Sequence, residues 1–346
     1  MGGLLPVDSG ALLGVGAALL NVAADVPRRY LAGLELDQDA TYVAEEQHHR
    51  AFTELRTMFR ATISAGGAAN AIRVAQWMTK VHGSTSFIGT VGRDDDGSLF
   101  EKAGEDAGVR MCSAVSDDES TGVSCVLRLE GRLTFLAHVG VAQSIDVAHF
   151  ETPRAAEALK RARVVFVSGL LLPCSSAAVM HVARHAHEAG QVLVLKVGGT
   201  FIVDHCWALV SAVLPFVDVL VCNKAEALAY GRRNGLEDVP AIALHLAAHA
   251  KASGSRSRIV VVTDGPSPTV VAHAGRAEEF AVDTIARDLA VDHMGQGEAF
   301  VGGFLSQQAC ERPLNECVSA GHWAARRMLL CTGVDVPETC EYVPGL

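Results

Sequence analysis

The stretch VDHMGQGEAFVGGFL, Val291 to Leu305, decides how the rest of the chain is read. Gly295 and Gly297 flank a bend, and the apolar run Ala299–Leu305 that follows reads as a helix. Glycine lets a backbone turn tightly and leaves its amides approachable. A helix starting there adds its own unbonded first-turn N–H groups and the positive end of its dipole. Together these make an anion hole suited to phosphate. Glu298 falls in the first turn, where a carboxylate can take a proton from a bound hydroxyl. A lone G-x-G also fits an ordinary loop-to-helix junction, so the surrounding chain has to decide.

At 346 residues the chain is expected to hold about two domains, taking roughly 150 residues for each. A hydrophobic content of 49% is enough for a sizeable core and excludes a disordered or fibrous protein. With 29 Lys and Arg against 39 Asp and Glu, the net charge is −10. Such a chain is a poor partner for nucleic acid or an anionic membrane, both of which need a positive footprint. Small phosphorylated ligands stay possible, since they need only a local positive potential. The sequence names no protein partner. The 9 cysteines are odd in number and form no C-x-x-C pair, so neither a zinc site nor a disulfide framework is expected. Ser9–Ala24 is uncharged, but Asp8 stands where a signal peptide would carry a basic flank. The run reads as a buried first strand, and a cytoplasmic location is expected. No later stretch has the roughly 18 uncharged apolar residues that a membrane span needs.

Short apolar runs alternate with helical patterns. Strands are expected at Leu12–Val15, Thr85–Gly89, Arg163–Ser168, Val192–Val197, Val217–Cys222 and Arg258–Thr263. Helices are expected at Asn70–Lys80, Leu99–Ala107, Ser175–Ala189, Lys224–Arg232 and Pro240–Ala252. This alternation implies parallel βαβ units in a three-layer α/β domain with a mostly parallel central sheet. Residues 22–60 are more polar, and residues 119–141 alternate with period two around Glu130-Gly131, a hairpin signal. The expected division is a large domain from 1–21, 61–118 and 142–346, with a small discontinuous β-lid from 22–60 and 119–141. An antiparallel edge on the main sheet is the other reading of those two segments.

The opening stretch resembles the signature D-T-N-G-A-G-D-A-F-x-G-G-F of the ribokinase-type (PfkB) sugar and nucleoside kinases, adenosine kinases in particular. The matching positions are Asp292, Gly295, Gly297, Ala299, Phe300, Gly302, Gly303 and Phe304. Four more segments resemble that family in the right order. They are AGG at Ala65–Gly67 with NAIRVAQWM at Asn70–Met78, VGRDDDG at Val91–Gly97, NKAE at Asn223–Glu226, and RPLNECVSAGHWAA at Arg312–Ala325. The resemblance implies a ribokinase-like fold and transfer of the γ-phosphoryl of ATP to the 5′-hydroxyl of adenosine, with Mg2+. Chemistry of that kind is mostly positioning and charge stabilisation. By resemblance, Gly295, Gln296, Gly297 and Glu298 form the oxyanion site, with Glu298 as the base and Arg132 approaching the phosphates from the lid. Asn21, Gly66, Gly67 and Asn70 hold the ribose, and Leu170 packs near the adenine. Asn223, Thr263, Gly265 and Gly297 line the ATP site. Glu226 acts on the metal through water, as suits an ion that keeps its hydration.

The chain also departs from the family pattern. Glu298 stands where the family has its catalytic aspartate, and the extra methylene displaces the carboxylate by about 1 Å, enough to cost ~10²-fold in rate. Gln296 replaces a small residue in the anion hole, and His293-Met294 replaces Thr-Asn. Asn21, in GAALLN at Gly16–Asn21, replaces an aspartate and loses the charge-assisted part of its hydrogen bonds. LKVGGTF at Leu195–Phe201 replaces N-L-S-A-P-F. The expected function is ATP- and Mg-dependent phosphorylation of adenosine, or a close purine nucleoside, to its 5′-monophosphate. The alternative is a catalytically impaired relative that binds a ligand or protein partner without turnover. Elsewhere, the His181/His185 and His245/His249 pairs read as solvated helix faces, Arg256–Arg258 as a solvated loop, and Cys125 and Cys222 as buried, inert thiols.

Overall fold

The computed structural model describes residues 8–252, 256–286, 289–291, 293–331 and 336–344. It divides by contacts into two units, one from residues 1–9, 17–143 and 285–346, the other from residues 10–16 and 144–284.

In the second unit, strands run in the order Arg276–Phe280, Ser267–His273, Ile259–Asp264, Val219–Asn223, Val192–Lys196, Val164–Ser168 and Leu12–Val15. Pairing is parallel from Leu12–Val15 through Ile259–Asp264. Val164–Ser168 is buried along its whole length, as a strand covered on both faces must be. The helices Pro153–Arg161, Leu172–Glu188, Thr200–Val213, Lys224–Asn234 and Val239–Ala247 alternate with these strands. The last two strands add antiparallel. Sequence reading missed both: Arg276–Phe280 (RAEEF) is half exposed and carries no apolar run, whereas Ser267–His273 (SPTVVAH) has one and was overlooked.

Arg258 is not in a solvated loop. It is 1% exposed and donates to the carbonyls of Leu214, Val217, Leu246, His249 and Ala250. Its guanidinium thus takes the Leu246 carbonyl, in the last turn of Val239–Ala247, together with those of His249 and Ala250 just past the helix end. Burial lowers its pKa to about 10, with the Asp218 carboxylate opposing. In the His245/His249 pair, His245 is exposed as expected and His249 is half-buried, and both rings meet one buried partner. The buried Tyr230 hydroxyl lies 2.7 Å from His245 Nδ1 and 2.7 Å from His249 Nε2. The pKa of His249 is lowered by burial, then by the His245 and Arg258 charges. The folded state thus takes up this proton less readily than the unfolded chain. Stability is fully present above the ordinary histidine value of 6.5 and declines as pH falls through it. Urea unfolding followed from pH 7.5 to 5 is expected to show this decline, shallower in His249→Gln. An equal slope in that variant would remove His249 as its source.

The first unit holds a separate five-stranded sheet in the order Thr41–Val43, Arg132–His138, Gly122–Leu129, Leu19–Asp25 and Thr62–Ala65. Gly122–Leu129 and Arg132–His138 form the hairpin. Its two-residue turn has φ of 52° at Glu130 and 75° at Gly131, the sign that a type I′ turn requires at both positions. The sheet also takes in Leu19–Asp25 and Thr62–Ala65, on either side of the polar 22–60 segment. Thr85–Ile88 pairs in parallel with Arg110–Met111. The helix Asp95–Asp106 is capped by Asp94, which accepts from Gly97 N at 2.7 Å and from Thr121 Oγ1 at 2.6 Å. Burial alone would raise the Asp94 pKa; those hydrogen bonds outweigh it and hold the carboxyl below its ordinary value. Among the described residues no helix is long and apolar enough to cross a membrane.

Candidate active site

Ala299 N bonds to the Gly295 carbonyl at 2.8 Å and makes the first turn of the helix Gln296–Gln308. Gly295 caps it in the left-handed region (φ 69°, ψ 12°), where glycine pays no steric penalty. The N–H groups of Gln296, Gly297 and Glu298 therefore precede the helical ladder, at the positive end of the helix dipole. Gly297 is exposed, and Gln296 and Glu298 are half-buried. Asp292 lies outside the described residues.

Two glycines further along decide where this helix head sits. A Cβ on Gly302 would stand 2.5 Å from the Ala71 carbonyl oxygen and 2.7 Å from Val74 Cβ, on the helix Ala68–Thr79. One on Gly303 would overlap the Ala320 carbonyl, on the helix Leu314–Met328. Gly321 presses in return on Phe300, its added Cβ 2.8 Å from the ring. The Gln296–Gln308 backbone is thus seated directly against two neighbouring helix backbones. The same cluster stacks Trp77 on Trp323, with ring centres 5.4 Å apart.

Ala68–Thr79 carries the nucleoside-side candidates. Gly67 caps it with φ 58°, ψ −137°, and an added Cβ would meet the Ala17 carbonyl at 2.9 Å. Gly66 lies under Asn21, whose amide occupies the space a Cβ would need. Asn70 is 3% exposed, and its Oδ1 accepts from Arg73 Nη1 at 3.3 Å. Asn21, Gly66, Gly67 and Asn70 are therefore gathered at one place.

Sheet register adds two residues that sequence reading did not single out. Asn21 pairs laterally with Ser64 on one side and Ser124 on the other. Laterally paired residues share a sheet face. Asn21, Ser64 and Ser124 thus form a row of neutral hydrogen-bonding side chains, each 6–7% exposed. The next residues along that face, Ala23 and Val126, pack in one cluster with Val74, Met294 and Ala299. The face that carries the polar row thus continues into the cluster that holds Met294 and Ala299, the residues on either side of the Gly295–Glu298 bend. The available signal was the alternation in STGVSCV, which puts Ser124 and Val126 on one face, but the sequence does not reveal its partner across the sheet.

Arg132 begins the second strand of the hairpin. Its exposed side chain is ion-paired with Asp39 at 2.8 Å. An exposed pair of this kind contributes little to stability.

In the second unit, Asn223 caps the helix Lys224–Asn234. Its Oδ1 accepts from Glu226 N at 2.9 Å, while Glu226 Oε2 accepts from Asn223 N at 2.9 Å. The N-x-x-E spacing is thus a reciprocal capping box, which needs an acceptor at each of those positions. Thr263 is the cross-strand partner of Asn223, and Gly265 (φ 55°) turns the chain two residues later. The Lys224–Asp264 ion pair at 2.8 Å lines an adjoining cleft of about 320 Å3 with Pro240 and Val262. Leu170 packs against Gly198. Cys222 and Cys125 are buried thiols with raised pKa values, that of Cys125 reaching about 12 through burial. Among the described residues no three His, Cys, Asp or Glu side chains form a metal cage. The single Glu226 carboxylate, 4% exposed, suits a hydrated Mg2+ held largely by water and phosphate oxygens.

The profile of the pfkB family of carbohydrate kinases matches residues 37–340. Adenosine kinase 2 of Arabidopsis thaliana is 31% identical over 336 residues, 96% of this chain and 97% of its own. The crystal structure of Anopheles gambiae adenosine kinase, in complex with P1,P4-di(adenosine-5) tetraphosphate, superposes with a TM-score of 0.86 at 31% identity, covering 93% of this chain and 96% of that one. The apo adenosine kinase of Trypanosoma brucei brucei gives 0.88 at 26%, over 92% of this chain and 98% of that one. The mostly parallel α/β architecture expected from the sequence is thus the ribokinase-like one. The chain belongs to the pfkB carbohydrate kinase family, within which these relatives are adenosine kinases.

Proposed function

We propose that the protein phosphorylates adenosine, or a close purine nucleoside, on its 5′-hydroxyl at the expense of ATP, a reaction of purine salvage. The observation that carries this reading is the neutral row Asn21–Ser64–Ser124, on a sheet face that continues into the cluster holding Ala299, together with a helix head whose first-turn amides adjoin Glu298. A ribose offers hydroxyls, each donor and acceptor, which amide and hydroxyl side chains can match. Glu298 takes the proton of the 5′-hydroxyl as its oxygen forms a bond to the γ-phosphorus. The bond from that phosphorus to the bridging oxygen breaks, and ADP leaves with the electron pair. Charge on the transferring oxygens falls on the amides at 295–298, where the helix dipole is most positive. Asn223, Thr263, Gly265 and Gly297 are assigned to ATP, Gly66, Gly67, Asn70 and Leu170 to the nucleoside, and Arg132 to the phosphates. Mg2+ neutralises phosphate charge when bound, and Glu226 orders its water shell.

The test is a coupled assay for AMP and ADP with adenosine and Mg–ATP. Turnover above that of Glu298→Ala supports the proposal, and its absence rejects it. The substitutions at Asn21, Gln296 and Glu298 favour one second reading, a relative that binds without transfer. Thermal stabilisation by adenosine without turnover would select it.

A further inference from the structure

Arg73 points inward from Ala68–Thr79 and is only 8% exposed. One of its nitrogens, Nη1, donates to Asn70 Oδ1 at 3.3 Å and to the Ala65 carbonyl at 3.4 Å. Those two acceptors bracket Gly66 and Gly67. The same guanidinium thus ties the end of the strand Thr62–Ala65 to the first turn of the helix, across the glycine bend.

Guanidinium carries donors and no acceptor. An asparagine that faces it must therefore turn its oxygen inward. The NH2 group of Asn70 is left for the ligand side. An amide without this constraint could flip and offer either end, at similar cost.

We propose that Arg73 is a positioning residue: it fixes the Asn70 amide so that the pocket meets the nucleoside with N–H donors, and it holds the glycine bend in place. This rests on the reading that a nucleoside binds here, and it adds what the pocket asks of it. The ligand atom opposite Asn70 must be an acceptor, such as a ribose oxygen.

Calorimetric titration with adenosine tests the proposal, alongside steady-state kinetics. Arg73→Gln is expected to weaken adenosine binding about tenfold, the scale of one charge-assisted hydrogen bond. The KM for adenosine should rise with it, while kcat at saturation stays within about twofold. Arg73→Lys should restore most of the affinity. In an Asn70→Ala background, Arg73→Gln should weaken binding no further. Asn70→Asp keeps an acceptor for Arg73 but has no N–H to offer; it should bind as poorly as Asn70→Ala. This variant does not disturb the buried arginine, so it remains informative if Arg73→Gln does not fold. Wild-type affinity in Arg73→Gln or in Asn70→Asp overturns the proposal alone. A wild-type protein that binds no adenosine overturns the functional reading and this proposal with it.

Discussion

Glu298→Ala is expected to lower kcat for adenosine phosphorylation by ~10²–10⁴-fold, the usual range for loss of a general base. The KM for ATP should change little, because the first-turn amides that meet phosphate belong to the backbone and survive the substitution. The informative variant is Glu298→Asp. Its carboxylate would sit about 1 Å nearer the helix, and a displacement of that size can carry ~10²-fold in rate. The structure sharpens this expectation. A longer side chain could be accommodated if the helix backed away, but Gly302 and Gly303 seat the backbone against Ala71 and Ala320 and leave no room to slide. The methylene cannot be absorbed by the main chain, so Glu298→Asp should raise kcat. Initial rates at saturating substrate decide. A rate equal to or below that of the native protein would show that the present carboxylate is already well placed.

Gly303→Ala should destabilise the protein, although helix propensity alone argues the reverse. Glycine to alanine inside a helix gains about 1 kcal/mol. Here the added methyl would overlap the Ala320 carbonyl oxygen and stand 2.9 Å from Ala324 Cβ. Backbone cannot rotate aside as a side chain can, so the two helices must separate. Overpacking of that kind costs about 1–3 kcal/mol, sometimes more. A net loss of about 2 kcal/mol is expected, read as a lowered urea midpoint with an unchanged m-value. Because the same helix carries Glu298, kcat should fall as well. A stabilised Gly303→Ala would mean that the helices have slack, and the argument about Glu298→Asp would weaken with it.

Much of the scaffold could be read locally. Leu12–Val15 is found as expected, and the Glu130-Gly131 turn forms where the period-two alternation on either side of it predicts. Val–Leu–Ile runs bury on both faces wherever they pair, so composition suffices for them. Two exceptions have one physical cause. Arg276–Phe280 is a polar edge strand, held by its neighbour's backbone rather than by its own apolar surface. Arg258 looks like part of a charged surface run, and only the convergence of helix-end carbonyls explains why it is buried.

The candidate site divides in the same manner. The sequence by itself determined the family signature, the glycine bends at Gly67 and Gly295, the acid at 298 and the paired acceptors Asn223 and Glu226. Each of these works within a few residues of chain, as a turn, a helix start or a cap, and spacing alone specifies it. Only the tertiary structure decided that Ser64 and Ser124 flank Asn21, that Arg73 turns the Asn70 amide, and that Gly302 and Gly303 are contact points rather than hinges. Those relations join segments far apart in the chain. Strand register and helix-to-helix distance create them, and neither is written in any local stretch of residues.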